Sequence, residues 1–208
     1  MNIIFEGLSG VGKTTVMEEV CKELKINNIS YEAIGDLSYE TPIKNVLLEM
    51  VSKDPLMNVN EKFNTSLYES LLLAANHHYV QEKLKNCNKI CLYDRDFLSL
   101  LAYQKVLIDN EYKNGDEIYD IYKKLVLLNL KTVDYIFYIE TPLDILVKRT
   151  EKRDNRKFSD DDINSLIKIK ERYLIELEEF KDKVVFLNGE DTIENNKEKV
   201  LNLIKRGI

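Results

Sequence analysis

Gly7-Leu8-Ser9-Gly10-Val11-Gly12-Lys13-Thr14 follows the apolar run Asn2-Ile3-Ile4-Phe5-Glu6 and opens a helix-period segment, and that order decides the fold. The octet fits G-x-x-x-x-G-K-[ST] and stands where its mechanism needs it, after a strand and before an amphipathic helix. Glycines let successive backbone N–H groups turn inward around phosphate oxygens, and the N-terminus of the next helix adds partial positive charge. Gly7, Gly10, Val11, Gly12, Lys13, Thr14 and Thr15 are therefore expected to hold the phosphates of ATP, with Lys13 on the β and γ oxygens and the Thr14 hydroxyl on Mg²⁺.

Outward from this loop, β-rich runs at 2–6, 30–34, 89–93, 133–140 and 184–187 alternate with helix-period segments at 13–26, 40–51, 61–84, 115–130, 143–152, 160–180 and 192–204. Alternation with largely apolar strands predicts a five-stranded parallel sheet covered by helices. No repeat, low-complexity tract or Pro/Gly/Ser-rich linker interrupts it, so residues 1–208 read as one domain, with 53–60 as a structural loop.

Lys and Arg total 30 against 36 Asp and Glu, a net charge of −6, which argues against a nucleic-acid polymer or an anionic membrane as partner. The three cysteines, Cys21, Cys87 and Cys91, form no C-x-x-C and suggest neither a zinc site nor a disulfide framework. No stretch reaches the roughly eighteen apolar residues of a membrane span. A soluble cytoplasmic protein acting on a small molecule is the expectation.

The run at 89–93 ends in Asp94-Arg95-Asp96, placing an acid and a cation at the carboxyl end of a parallel strand, where such sheets bind ligands. Asp94 suits Mg²⁺ or its water, and Arg95 suits an acceptor phosphate. A GTPase would carry an N-K-x-D guanine reader, which is missing. A motor ATPase would be larger, with a D-E pair ending its Walker B strand.

With these segments in place, the chain resembles the thymidylate kinases along nearly its whole length. Phe5-Glu6-Gly7 through Thr15 is similar to F-E-G-x-D-G-x-G-K-T-T, and Asp94 to Gln104 is similar to D-R-Y-x-x-S-x-x-A-Y-Q. Leu71 to Val80 resembles the family's L-L-F-A-A-D-R helix, and Glu171-Arg172-Tyr173-Leu174 its R-x-x-Y-L element. The resemblance implies a P-loop kinase fold with an acceptor-side helical segment about 36–85 and a lid about 149–161. It implies transfer from ATP to a deoxynucleoside monophosphate, dTMP first, by a homodimer. Arg95 would grip the acceptor phosphate, Ser99 and Gln104 would take part in substrate binding, Tyr103 would crowd the sugar 2′ position, and Asp94 would organise Mg²⁺. Gly10 stands where one subgroup carries a P-loop arginine, so the catalytic cations would come from the lid: Arg153 and Arg156, with Arg149 on the nucleotide.

The departures gather at the nucleoside. Ser9 replaces the P-loop Asp near the sugar, Leu73 the base-stacking Phe, His77 the base-reading Arg, Asp96 the tyrosine of D-R-Y and Leu100 a polar residue. A wider choice of base follows. The rival readings are a deoxynucleoside or other small-molecule kinase, whose hydroxyl acceptor would want Asp36, Glu40 or Asp96 as base, and a non-catalytic nucleotide-binding regulator.

His77 and His78 are about 100° apart on a helix and cannot form an i, i+4 metal pair. His78 continues the stripe Phe63, Leu67, Leu71, Ala74 and should pack, whereas His77 lies off it and could face the acceptor. Tyr68, Tyr79, Tyr119, Tyr122 and Tyr173 read as core or core-edge residues.

Overall fold

The structure, a computed structural model, describes residues 1–35, 39–53, 66–128, 130–155 and 157–207. Its strands are β1 (Asn2–Glu6), β2 (Tyr31–Ile34), β3 (Ile90–Asp94), β4 (Tyr135–Glu140) and β5 (Val184–Asn188). They form one sheet of order β2-β3-β1-β4-β5, parallel throughout. The middle three strands are the apolar ones, with Ile3, Ile4, Phe5, Leu92, Ile136 and Phe137 almost wholly buried, as helix-covered parallel strands require. The strand order reverses about β1, with β2 and β3 added on one side and β4 and β5 on the other, so the carboxyl ends of β1, β3 and β4 border the crevice where ligands bind in such sheets.

The helices are α1 (Lys13–Ile26), α2 (Lys44–Lys53), α3 (Ser66–Lys83), α4 (Phe97–Glu111), α5 (Gly115–Leu127), α6 (Leu143–Asp154), α7 (Asp160–Glu178) and α8 (Ile193–Gly207). They flank the sheet in two groups, α1 against α8 and α4 against α3, α5 and α7. Most ends fall within a few residues of the sequence reading, but α4 has no counterpart in it. Residues 97–99 and 101–108 of α4 are all buried, so it carries no polar stripe and no 3.6-residue alternation to detect. Helix α2 extends through Lys53, and the rest of the predicted 53–60 loop, Phe63 and Asp36 lie outside the described residues.

Helix α3 is turned away from its predicted face. Leu71 and Tyr68, expected inside, are 45% and 48% exposed, whereas Ser66, Ser70, Leu73, His77 and Gln81 are buried. The reason lies across the interface: Ser70 Oγ donates to Gln104 Oε1 of α4 at 2.6 Å, and the same amide donates to Glu69 Oε1 at 3.2 Å. Hydrogen-bonded polar residues occupy the contact, so hydrophobic spacing misplaces it. His78 packs as expected, its Nε2 donating to the Leu125 carbonyl at 2.6 Å.

The phosphate loop is held by its neighbours. Gly7, Gly10 and Gly12 have φ of 133°, 88° and 102°, and a Cβ on Gly7 would stand 2.6 Å from the Ile139 carbonyl oxygen at the end of β4. A Cβ on Gly10 would collide with Thr150 Oγ1 of α6, so this loop has no room for an arginine at that position. Gly10→Ala should lower stability by at least about 1–2 kcal/mol through its left-handed backbone, with the collision added. Thermal unfolding checks this, and adding Thr150→Ala should return only the part due to the collision.

Candidate functional site

Helix α1 starts at the loop because Gly12 takes the left-handed N-cap position, and no side chain caps it. Its first N–H groups thus stay open to a phosphate. By contrast α7 is closed by a capping box: Ser159 N–H donates to Asp162 Oδ2 at 2.9 Å and Asp162 N–H to Ser159 Oγ at 3.2 Å. Lys13 lies folded over the loop, its ammonium donating to the carbonyls of Gly7 at 3.1 Å and Leu8 at 2.9 Å. Thr14 and Thr15 are exposed, Val11 is core, and the Thr14 hydroxyl donates to Asp94 Oδ2 at the end of β3. A hydroxyl and a carboxylate joined beside a phosphate loop are the hard oxygen donors Mg²⁺ takes, its other positions being filled by phosphate and water.

Past β3 the backbone turns sharply. Arg95 has φ of 69°, a left-handed conformation rare for a bulky side chain, and its N–H donates to the Phe5 carbonyl at 3.0 Å. Its guanidinium lies 5.2 Å over the Tyr103 ring and donates to Ser99 Oγ at 3.1 Å, Tyr173 OH at 3.2 Å and Tyr103 OH at 3.4 Å. Behind these hydroxyls sits Glu6, fully buried. Its carboxylate accepts from Asp96 N–H at 2.9 Å, Ser99 N–H at 3.2 Å, Ser99 Oγ at 2.6 Å and Tyr173 OH at 3.1 Å. Burial pushes the Glu6 carboxyl up to about 7, against the pull of the Ser99 hydrogen bond and the Arg95 charge.

A cleft of about 530 Å³, counted to its open mouth, lies in front of Arg95 and Ser99. Ile34, Leu73, Val80 and Leu100 make its apolar walls, and Tyr39, Tyr93, Asn76, His77 and Asp96 complete it. Tyr103 is placed beneath Arg95 rather than in this lining, and Gln104, fully buried, joins α3 to α4; neither borders the cleft as the motif had suggested.

The basic segment meets the loop from the other side. Arg153 Nη2 donates to Ser9 Oγ at 3.3 Å, and Thr150 Oγ1 donates to the Ser9 carbonyl at 3.5 Å. Hydrogen bonding to Asp154 holds Arg153 above the ordinary arginine range. Arg149 Nη1 donates to the Gly189 carbonyl at 2.9 Å, and Arg156 lies outside the described residues. Among the described residues no cluster of three or more His, Cys, Asp or Glu is set to hold a metal, and no helix is long and apolar enough to cross a membrane.

Sequence reasoning assigned no role to Glu6 or to the Tyr173 hydroxyl. A signal was present for Glu6, since a carboxylate closing an otherwise apolar central strand must find donors inside.

A parallel sheet in this order, with a glycine loop after its first strand that carries Lys13 and meets Arg153 of α6, defines a P-loop nucleotide kinase. The chain matches the family model described as Thymidylate kinase across residues 5–200, and it belongs to that family of ATP-using nucleoside monophosphate kinases. It is 29% identical to the probable thymidylate kinase of Sulfolobus acidocaldarius, covering 97% of this chain and 95% of that one. It is 25% identical to the thymidylate kinase of Clostridium novyi, covering 98% and 97%. Two solved structures share the fold. The thymidylate kinase from Candida albicans has a TM-score of 0.72 at 18% identity, covering 99% of this chain and 91% of that one. The deoxyadenosine kinase from M. mycoides has a TM-score of 0.70 at 20% identity, covering 99% and 100%.

A carboxyl raised in the folded chain keeps a proton that the unfolded chain, with its ordinary value of 4.5, has released. The Glu6 contribution to stability is therefore complete below about 4.5 and is lost as pH rises through about 7, a change on the order of 3 kcal/mol. Glu6→Gln keeps one acceptor oxygen for the two N–H groups and offers its amide to the two hydroxyls. Urea unfolding from about pH 5 to 8 should show the parent losing this stability and the variant holding it; parallel curves would mean that Glu6 does not titrate there.

Proposed function

We propose that this kinase moves the γ-phosphoryl of ATP onto dTMP, with Arg95 holding the acceptor phosphate and Arg153 steadying the group in transfer. The observations that carry the reading are Arg153 bonded to Ser9 of the phosphate loop at 3.3 Å and Arg95, at the carboxyl end of β3, lining the cleft beside it. Phosphoryl transfer has little covalent chemistry for a protein to perform, so positioning and charge do most of the work. Lys13 holds the β and γ oxygens, the open N–H groups of α1 the phosphates, and Ser9 keeps Arg153 at the loop. Thr14 and Asp94 would hold Mg²⁺, which when bound neutralises charge on the β and γ oxygens. Arg149 lies beside the turn after β5, at hand for the nucleotide, and residues 149–161 serve as the lid of a single domain.

A hydroxyl acceptor would need a free carboxylate base. Of the candidate bases, Glu40 is paired with Lys44 at 2.5 Å and Asp96 with His77 at 2.9 Å, and Asp36 lies outside the described residues. The reading brings with it a cytoplasmic homodimer, to which exposed Leu48, Tyr68 and Leu71 would offer apolar contact.

Three variants test it in an ADP-release assay with dTMP. Lys13→Ala should abolish transfer with the fold retained by circular dichroism, and activity within about twofold of the parent would overturn the loop assignment. Arg95→Ala should cost on the order of 2–5 kcal/mol in kcat/KM for dTMP, by removing one partner of a charge-assisted pair. Arg153→Ala should lower kcat more than it raises KM for ATP, because charge stabilisation strengthens in the transition state. Rapid phosphorylation of thymidine with dTMP inert would favour the hydroxyl-acceptor kinase instead.

A further inference from the structure

The cleft before Arg95 contains two side chains that hold each other. His77 Nδ1 stands 2.9 Å from Asp96 Oδ1, with the two side chains 5% and 8% exposed. Gln81 steadies the pair, its Nε2 donating to the two Asp96 oxygens at 3.4 and 3.3 Å. An ionised carboxylate only accepts, so Nδ1 carries a proton and the state of the ring is expressed at Nε2. That nitrogen is buried and has no hydrogen-bond partner among the described residues, although His77 lines the cleft. Leaving such a group unmet is costly, and a ligand that meets it is favoured.

We propose that His77, oriented by Asp96, reads the exocyclic group of the acceptor's base and admits both keto and amino pyrimidines, so that dCMP is phosphorylated alongside dTMP. The inference rests on the monophosphate-kinase reading and extends it to the base. A neutral ring with its proton on Nδ1 presents a lone pair at Nε2, which accepts from a 4-amino group. With one more proton, Nε2–H donates to a 4-keto oxygen. A guanidinium in this place has donors only and would serve the keto base alone. The neighbouring walls, Leu73, Val80 and Leu100, add apolar contact that does not discriminate between the two. The other titratable groups around the ring are Arg95 and Asp96 from the turn after β3, Tyr93 of β3, Tyr39 from the segment after β2, and His78 beside it.

The test measures kcat/KM for dTMP, dUMP and dCMP from about pH 6 to 8.5. dUMP and dCMP share phosphate and sugar, so effects of Glu6 and Arg95 on the acceptor phosphate cancel in their ratio. dCMP should fall within about tenfold of dUMP, and the dUMP to dCMP ratio should drop as pH rises. His77→Arg should keep turnover of dTMP and dUMP and lower that of dCMP by at least about tenfold. With dTMP active, dCMP turnover below about 1% of dUMP at every pH would overturn the inference, as would a His77→Arg variant that loses dUMP and dCMP alike. The parent's ratio across pH decides the matter if that variant fails to fold. Inactivity toward all three monophosphates would instead overturn the reading beneath it.

Discussion

A carboxylate shut away from water has to find its donors inside the protein, and the donors that Glu6 finds organise one side of the site. Two are backbone N–H groups at the start of α4, and two are hydroxyls, Ser99 from that helix and Tyr173 from α7. One group at the end of β1 thereby sets the turn after β3 and the distance between two helices. Arg95 depends on it twice, through the left-handed backbone that the turn imposes and through the hydroxyls that receive its guanidinium. Such a network stabilises when every member is satisfied, and the low polarity that strengthens it also raises the Glu6 carboxyl.

The donor side is governed by contact distance. Gly7 lets β4 approach the loop and Gly10 lets α6 approach it, so the loop and the segment carrying Arg149 and Arg153 form one packed unit. This links two features of the sequence that stand far apart. A loop without room for an arginine has the basic segment brought to its edge by the contact that occupies that room. Arg153 consequently reaches the phosphate loop from α6, while Arg95 lines the cleft from the turn before α4.

Between them the cleft mixes apolar walls with few polar groups, as small-molecule sites do. Its polar members divide by role. Arg95 and Ser99 belong to the network of Glu6, and His77 pairs with the Asp96 carboxylate, which Gln81 steadies. Asp96 joins the two sets, since its backbone N–H is one of the donors to Glu6.

The octet at residues 7–14 and the alternation of apolar runs with helical spacings determined the parallel sheet, the phosphate loop and the Thr14–Asp94 pair, because local backbone chemistry and strand burial write themselves into short windows of sequence. Helix α4 was invisible to the same reading, since burial on every side erases the periodicity that marks a helix. Helix α3 was turned wrongly because Ser70 and Gln104 fill its interface with polar atoms that satisfy each other, and satisfaction is a property of pairs. Gln104 and Tyr103, assigned to the substrate by motif, are drawn into the packing under Arg95 and between helices. The partners of Glu6 lie about ninety residues away on α4 and more than one hundred and sixty away on α7. The sequence by itself determined the family and the parallel sheet that carries the phosphate loop. Only the tertiary structure decided which buried groups hold the site in place, because burial and hydrogen bonding join residues that no local window contains together.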